Sequence, residues 1–299
     1  MQVDVFQVDS FTNEKFTGNA AGVVPHADEL SEKQMQQIAR ELNNSETVFI
    51  LSPDADDHDV HVRFFTPTVE VPSCGHATIA AHHVRSCENE LGNCTIIQKS
   101  KIGKLPVDIV KENDSYEIYM TQSEPKFSKP FDDIHSKILL TAFGLTETDI
   151  YKSAPIQFVD TGHGKVLLCI NNLEKLHNLK PDFTRLIEIS SVTDYKGFFV
   201  FTLETDSPDI LTHGRMFAPA IGINEDPVTG NGNGPVGAYL VKHNLVKHDG
   251  KLLKYKGKQG EAMGRPGIVD VEVTISNNDP VKVRIGGRAI TVFKTTIQI

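Results

Sequence analysis

Hydrophobic and polar residues follow one another in the first part of the chain in short patterns that predict strands and helices in alternation. Ser31 followed by Gln34 is a capping-box pattern, which predicts the start of a helix. The apolar face of this helix consists of residues at helical spacing, Met35, Ile38, Ala39 and Leu42. Short apolar runs predict strands around Val3, Val5 and Val8, over residues 46–51 and over residues 60–65.

The last part of the chain is predicted to consist of strands. Residues 269–275 alternate between apolar β-branched and polar side chains, which is typical of a half-buried strand. Residues 281–285 and 289–297 are predicted to form a hairpin that turns at Gly286-Gly287, because paired glycines suit tight turns between antiparallel strands.

A weak internal repeat relates the two halves of the chain. Arg63-Phe-Phe-Thr-Pro67 resembles Arg215-Met-Phe-Ala-Pro219, and each follows an apolar strand. A loop, a glycine and a helix rich in small residues come next in both halves, beginning at Cys74-Gly75 and at Thr229-Gly230. The shared order, spacing and residue types favour a duplication over chance similarity of two strand–loop–helix units.

Small residues in the two repeated helices allow other parts of the chain to approach closely: Ala77, Ala80, Ala81, Gly232, Gly234, Gly237 and Ala238. A helix of this kind is usually enclosed rather than laid on a surface. We therefore expect each half to wrap a sheet around one central helix. The predicted domains are residues 1–122 with 286–299, and residues 123–285.

Composition narrows the class of protein. The chain has 299 residues, 23% of them charged, and a net charge of −9, so nucleic acid is not an expected partner. The first residues do not resemble a signal peptide, and no apolar run approaches the roughly 20 residues of a membrane helix. The four cysteines show no CxxC spacing. We expect a cytoplasmic protein with reduced thiols and no membrane partner.

Two related halves suggest a cleft between them, and the starts of both central helices are candidates for an anion site. Free N–H groups and the helix dipole would favour a small substrate that carries a carboxylate. The alternative is that both are ordinary helix starts that face different ways.

Three ionisable residues lie where they could serve such a site. Glu46 stands at the junction of a helix and an apolar strand, where partial desolvation favours proton transfer, although a solvated glutamate is the simpler interpretation. His76 follows Gly75 at a helix start, which favours neutral imidazole, or it is a simple cap. Asp226 precedes Pro227 in an extended loop and either binds substrate or caps the helix.

Several familiar motifs are excluded. Residues 232–237 match GxGxxG in form, but a proline loop precedes them and Pro235 lies inside, so a nicotinamide cofactor is not expected. Gly162-His-Gly-Lys165 is not a phosphate-binding loop. The histidines and cysteines lack zinc spacing, so we predict no metal and no cofactor. His82 and His83 are interpreted as ordinary helix positions, one of them solvated.

The chain resembles the phenazine-biosynthesis (PhzF-like) isomerase family in an ordered series of motifs over nearly its whole length. They are residues 16–24, Ser45-Glu-Thr-Val-Phe49, Cys74-Gly-His-Ala-Thr78, Glu225-Asp-Pro-Val-Thr-Gly230, Gln259-Gly260 with Gly264-Arg-Pro266, and Gly286-Gly287. The resemblance implies an α/β (α+β), diaminopimelate-epimerase-like fold of two duplicated barrel-like domains, each wrapped around a central helix, with the site between them. It also implies a homodimer.

The resemblance further implies roles for individual residues. Glu46 matches the catalytic acid/base glutamate of the family, and four other positions match its substrate contacts: Gly75, His76, Asp226 and Gly230. Asn231 stands where the phenazine enzyme resembles a serine, which places that enzyme's substrate in doubt here.

Three functions stay open. The first is a cofactor-independent isomerase in which Glu46 moves a proton on a small carboxylate. The second is an amino-acid racemase or epimerase that uses Cys74 and Glu46, but the residue that corresponds to Cys74 in the repeat is Thr229, a poor base. The third is a metabolite-binding protein without turnover.

Overall fold

A computed structural model describes all residues, Met1–Ile299, and shows a mixed α/β fold that is rich in strands. The helices are α1 (Glu32–Leu42), α2 (Gly75–Glu88), α3 (Asp133–Ala142), α4 (Leu173–His177), α5 (Phe183–Val192) and α6 (Gly230–Lys242). The strands are β1 (Gln2–Ser10), β2 (Asn19–Val24), β3 (Glu46–Leu51), β4 (Val60–Phe65), β5 (Glu70–Val71), β6 (Cys94–Ser100), β7 (Gly103–Glu112), β8 (Ser115–Thr121), β9 (Lys126–Phe127), β10 (Gln157–Asp160), β11 (Lys165–Ile170), β12 (Phe198–Thr202), β13 (Thr212–Ala218), β14 (Ile223–Asp226), β15 (Leu252–Gln259), β16 (Gly267–Ser276) and β17 (Asp279–Gln298). None of the helices combines the length and the apolar character that crossing a membrane requires.

The chain divides into two compact units, Met1–Thr121 with Gly286–Ile299, and Gln122–Ile285. In the first unit, β1 is antiparallel to β2, β2 is parallel to β3, and β3 is antiparallel to β4. β4 is then antiparallel to β5 and parallel to β6, which continues into the antiparallel pairs β6–β7 and β7–β8. Helix α2 is buried along most of its length, while α1 packs on a separate apolar cluster around Met35 and Phe49.

The second unit repeats this succession of strands. β10 is antiparallel to β11, β11 is parallel to β12, and β12 is antiparallel to β13. β13 is antiparallel to β14 and parallel to β15, which pairs with β16. Helix α6 is buried, and α3, α4 and α5 contribute to a separate core around Phe143 and Phe217.

The arginines of the repeat share two contacts in both units, one with a glutamate and one with a phenylalanine ring. The guanidinium of Arg63 donates two hydrogen bonds of 2.8 Å to Glu70, and Arg215 does the same to Glu225. Each guanidinium also lies 5.1 Å from the centroid of the phenylalanine ring two residues further along its own strand. These equivalent contacts confirm the internal repeat. The burial of α2 and α6 agrees with the prediction that each half encloses a central helix.

The capping box of α1 is confirmed, because the Ser31 hydroxyl accepts from the backbone N–H of Gln34 and the Gln34 side chain accepts from that of Ser31. The predicted hairpin at Gly286-Gly287 is wrong. Residues 279–298 form the single strand β17, and the turn lies earlier, at Asn277 and Asn278, where φ is positive. Gly286 makes room for a ring instead, since a Cβ there would lie 2.3 Å from Tyr119 Cδ1.

The prediction that one of the paired histidines of α2 is solvated is also wrong. His82 and His83 are both buried, and burial lowers the pKa of each imidazole to about 4. His82 Nε2 lies 2.9 Å from the side-chain oxygen of Gln98. The middle of a helix that strands surround has no solvent face, so the adjacent positions His82 and His83 are both buried.

Gly237 tests how tightly α6 is enclosed. A Cβ there would lie 2.8 Å from methyl groups of both Val271 and Val273. Alanine normally stabilises a helix by about 1 kcal/mol relative to glycine. We nevertheless expect Gly237→Ala to lower the free energy of unfolding, by about 1–3 kcal/mol, because β16, which contains both valines, cannot move away from the added methyl group. Urea unfolding measures this effect, and adding Val271→Ala should relieve part of it. A more stable Gly237→Ala variant would contradict the enclosure.

Candidate active site

Four of the predicted residues come together at the start of α2. Glu46 is the first residue of β3, and its carboxylate oxygen lies 3.4 Å from Nε2 of His76. Nδ1 of the same ring lies 3.4 Å from the Cys74 sulfur, and the Ser45 hydroxyl lies 3.3 Å from Nε2. Cys74 precedes the helix and Gly75 begins it. The imidazole is therefore surrounded by a carboxylate, a thiol and a hydroxyl.

Neighbouring strands and the helix itself hold this group in place. The Ser10 hydroxyl, at the end of β1, donates to the backbone oxygen of His76 at 2.8 Å. The Thr78 hydroxyl donates to the backbone oxygen of Cys74 at 2.8 Å. The side chain of Cys74 does not cap the helix, and its sulfur lies beside the imidazole.

The other predicted residues lie at the start of α6 in the second unit. Thr229 precedes the helix, and its hydroxyl donates to the carboxylate of Asp226. The side-chain oxygen of Asn231 accepts a hydrogen bond of 2.9 Å from Gln122, which also donates to the backbone oxygen of Gly230 at 3.3 Å. The Thr229 hydroxyl is thus already engaged by a carboxylate.

Gln259 is not among the functional residues predicted from the sequence, although it is the first residue of one of the family motifs. It is buried at the end of β15. Its oxygen accepts from the backbone N–H of Thr229 at 3.0 Å and from the Asn233 amide at 3.1 Å. Its nitrogen donates to the backbone oxygen of Asp226 at 2.8 Å. One side chain therefore joins the loop before α6 to the first turn of that helix.

Two groups of side chains have ligand atoms close enough to hold a metal ion. One is the group of Glu46, Cys74 and His76. The other is His177, His213 and Glu261, in which the same Glu261 oxygen lies 3.2 Å from His177 and 2.7 Å from His213. Burial opposes ionisation of Glu261, but hydrogen bonds from His213 and Lys258 outweigh it and lower its pKa to about 2. These bonds account for the second group without an ion, and the prediction that no metal is used stays a prediction.

Comparison with known proteins agrees with this fold. The sequence model of the family described as phenazine biosynthesis-like protein matches residues 8–295. An uncharacterized isomerase of Clostridium acetobutylicum is 51% identical over 294 residues, covering 98% of this chain and 97% of the relative. The crystal structure of a PhzF-family phenazine biosynthesis protein of Bacillus anthracis has a TM-score of 0.88 and 30% identity over the full length of both chains. A hydroxyproline epimerase of Agrobacterium vitis shares the fold at a TM-score of 0.62 and 12% identity, covering 99% of this chain and 92% of that one.

The likeness to a relative that is named as an isomerase, at 51% identity over nearly the whole chain, identifies this protein as an isomerase. The chain belongs to the phenazine biosynthesis-like protein family.

Replacing Gln259 tests how the start of α6 is organised. Gln259→Leu removes the acceptor of a backbone N–H and of the Asn233 amide, and unpaired buried donors cost about 1–3 kcal/mol each. We expect the free energy of unfolding to fall by about 2–4 kcal/mol in urea titrations. Gln37→Leu, at an exposed position of α1, is the control and should change stability little. Equal stabilities of the two variants would show that Gln259 does not hold the α6 start.

Proposed function

We propose that this isomerase moves a proton on a small, carboxylate-bearing metabolite by acid/base catalysis, with Glu46 as the proton carrier. The observation that carries the proposal is the position of the Glu46 carboxylate, 3.4 Å from His76 Nε2 at the start of a buried helix. A carboxylate can accept a proton from carbon and return it, and an adjacent imidazole can hold a polar group of the substrate.

In the proposed reaction, the Glu46 carboxylate removes a proton from a C–H bond that a neighbouring unsaturated group acidifies. The electron pair of that bond moves into the conjugated system of the substrate. The protonated Glu46 then delivers the proton to a second carbon, and the shifted double bond remains. Groups that donate hydrogen bonds to the developing negative charge would lower the barrier most, because they act where charge forms. No cofactor takes part in this sequence.

Gly75 supports substrate binding at the start of α2. Its backbone is not in the left-handed region, and a Cβ there would meet only the sulfur of Met120, at 4.0 Å. Folding alone therefore does not require glycine at this position. A ligand that approaches the backbone closely is a sufficient reason for it. We assign substrate contacts to Gly75 and His76, and in the second unit to Asp226, Gly230 and Asn231.

The contact between Cys74 and His76 favours a second candidate function, racemisation or epimerisation. The thiol is buried, and its sulfur lies 3.4 Å from the imidazole, a setting in which a thiol can act as a base. Two-base chemistry needs a base on each face of the carbon, and Cys74 with Glu46 would be that pair. The equivalent of Cys74 in the second unit is Thr229, whose hydroxyl is a poor base.

Glu46→Gln tests the principal proposal. Wild-type protein, chelated and desalted, is incubated in deuterated water with small carboxylic acids that carry an acidified C–H bond, and deuterium uptake at carbon is followed by mass spectrometry. With an acid that reacts, we expect Glu46→Gln to fold normally and lose at least about 10²–10⁴-fold of the rate, because an amide does not accept the proton. Glu41→Gln, an exposed change on α1, is the control. A folded Glu46→Gln variant with wild-type turnover would remove Glu46 from the mechanism.

Cys74→Ala separates the two candidate functions. If Glu46 alone carries the proton, we expect this variant to lose at most about tenfold in rate, or about 1.4 kcal/mol in the barrier. Cys87→Ala, at an exposed cysteine, is the matched control. If Cys74→Ala and Glu46→Gln are both folded and equally inactive, the two-base racemase replaces the one-base isomerase.

A further inference from the structure

The second unit contains a buried lysine that the proposed reaction does not use. Lys165 is the first residue of β11, and its side chain is only slightly exposed, with a relative accessibility of 7%. Its ammonium group donates to the backbone oxygens of His163 at 2.7 Å and Gly164 at 3.3 Å. The carboxylates whose charges act on it are those of Asp226 in β14 and Asp160 in β10.

A purely structural role does not explain this residue. Burial lowers the pKa of Lys165 to about 8, which shows that the fold disfavours its charged form. An apolar side chain of similar volume usually stabilises a protein as much as a buried ion, or more. Lysines are seldom buried, because burial of their charge does not stabilise the fold more than an apolar side chain does. Those that are buried are often found at functional sites.

The strand register shows which residue of the first unit corresponds to this position. Arg63 is paired with Phe49 in β3, and the equivalent Arg215 is paired with Val200 in β12. Glu46 precedes Phe49 by the same number of residues by which Gly197 precedes Val200. Gly197 is therefore the counterpart of Glu46 in the second unit.

The neighbouring parallel strands show how the lysine fills that position. Glu46 is paired with Ala21 of β2, whereas Val166 of β11 is paired with Phe198, which places Lys165 opposite Gly197. A Cβ at Gly197 would lie 2.6 Å from Cδ and 2.9 Å from Cε of Lys165. The lysine side chain thus crosses the space where a side chain at the counterpart of Glu46 would begin.

The two units therefore place opposite charges at one equivalent position. In the first unit the carboxylate comes from β3, beside a small alanine of β2. In the second unit the ammonium group comes from the neighbouring strand β11, beside Gly197, the residue just before β12. In each unit the group acts on a polar cluster at the start of the central helix, His76 in one and Asp226 with Thr229 in the other.

We propose that Lys165 is a ligand-binding residue of the second unit, and that its ammonium group forms an ion pair with a carboxylate of the substrate. This inference rests on the proposed function, because it identifies the residue that binds the carboxylate of that substrate. Neither the charge nor the position of Lys165 depends on Glu46, so the two can be tested separately.

Thermal unfolding in malonate tests the assignment without knowledge of the substrate. At pH 7, malonate at about ten times its dissociation constant should raise the wild-type Tm by about 2–4 °C above the value in sodium chloride of equal ionic strength. We expect no such rise in Lys165→Met, which loses the charge, or in Lys165→Gln, which also keeps a hydrogen-bond donor. Lys254→Met removes an exposed lysine of β15 and should respond as the wild type does.

The effect of pH provides a second readout. Lys165 is charged below its pKa, so protection by malonate should be complete near pH 7 and disappear as the pH rises through about 8. His163, Asp160 and Asp226 are the other ionisable groups that face the amine. Burial lowers the pKa of His163, so this imidazole is already neutral in the range where the lysine loses its proton.

Two results would overturn the assignment: a wild-type protein that malonate does not stabilise beyond sodium chloride, or an undiminished rise in both Lys165 variants. Glu46→Gln should keep the full rise, since it retains the second unit intact. Loss of turnover in Glu46→Gln without any effect of Lys165 on malonate binding would reject this inference alone, and the reverse result would reject only the role of Glu46.

Discussion

Burial of one helix in each unit along most of its length is the constraint on which the rest of the structure depends. Polar groups buried beside such a helix need hydrogen-bond partners in the surrounding chain. The Ser10 and Thr78 hydroxyls donate to backbone oxygens at the start of α2, and Gln259 accepts from the backbone N–H of Thr229 before α6. The strand ends beside each helix start are consequently ordered, and ionisable side chains placed there are held in fixed positions.

The duplication explains why two similar scaffolds carry different chemistry. The arginine–glutamate pairs and their phenylalanines are the same in both units, because they support the strands around the helix. The positions next to the helix start differ: the first unit has Glu46 and His76, and the second has Lys165 and Asp226. Packing restrains the common part, whereas the residues at the helix starts differ between the two units.

The pattern of residues within a segment predicted helices and strands correctly where that segment alone decides the structure. The capping box at Ser31, the strands at Glu46 and Val60, and the glycine that begins each central helix are all confirmed. Prediction failed where a distant ring or strand decided the outcome. Gly286 accommodates Tyr119 instead of making a turn, and the strands around α2 bury His83 as well as His82.

The sequence by itself determined the family, the repeat, the place of Glu46 at the start of a strand and that of Cys74 and His76 at a helix start, because these follow from motifs that are contiguous in the chain. Only the tertiary structure decided that Gln259 joins the loop of Asp226 to α6, and that Lys165 occupies the counterpart of the Glu46 position. Both depend on strand register, which pairs residues far apart in the chain. Register is fixed by the packing of whole sheets and not by the residues near either position.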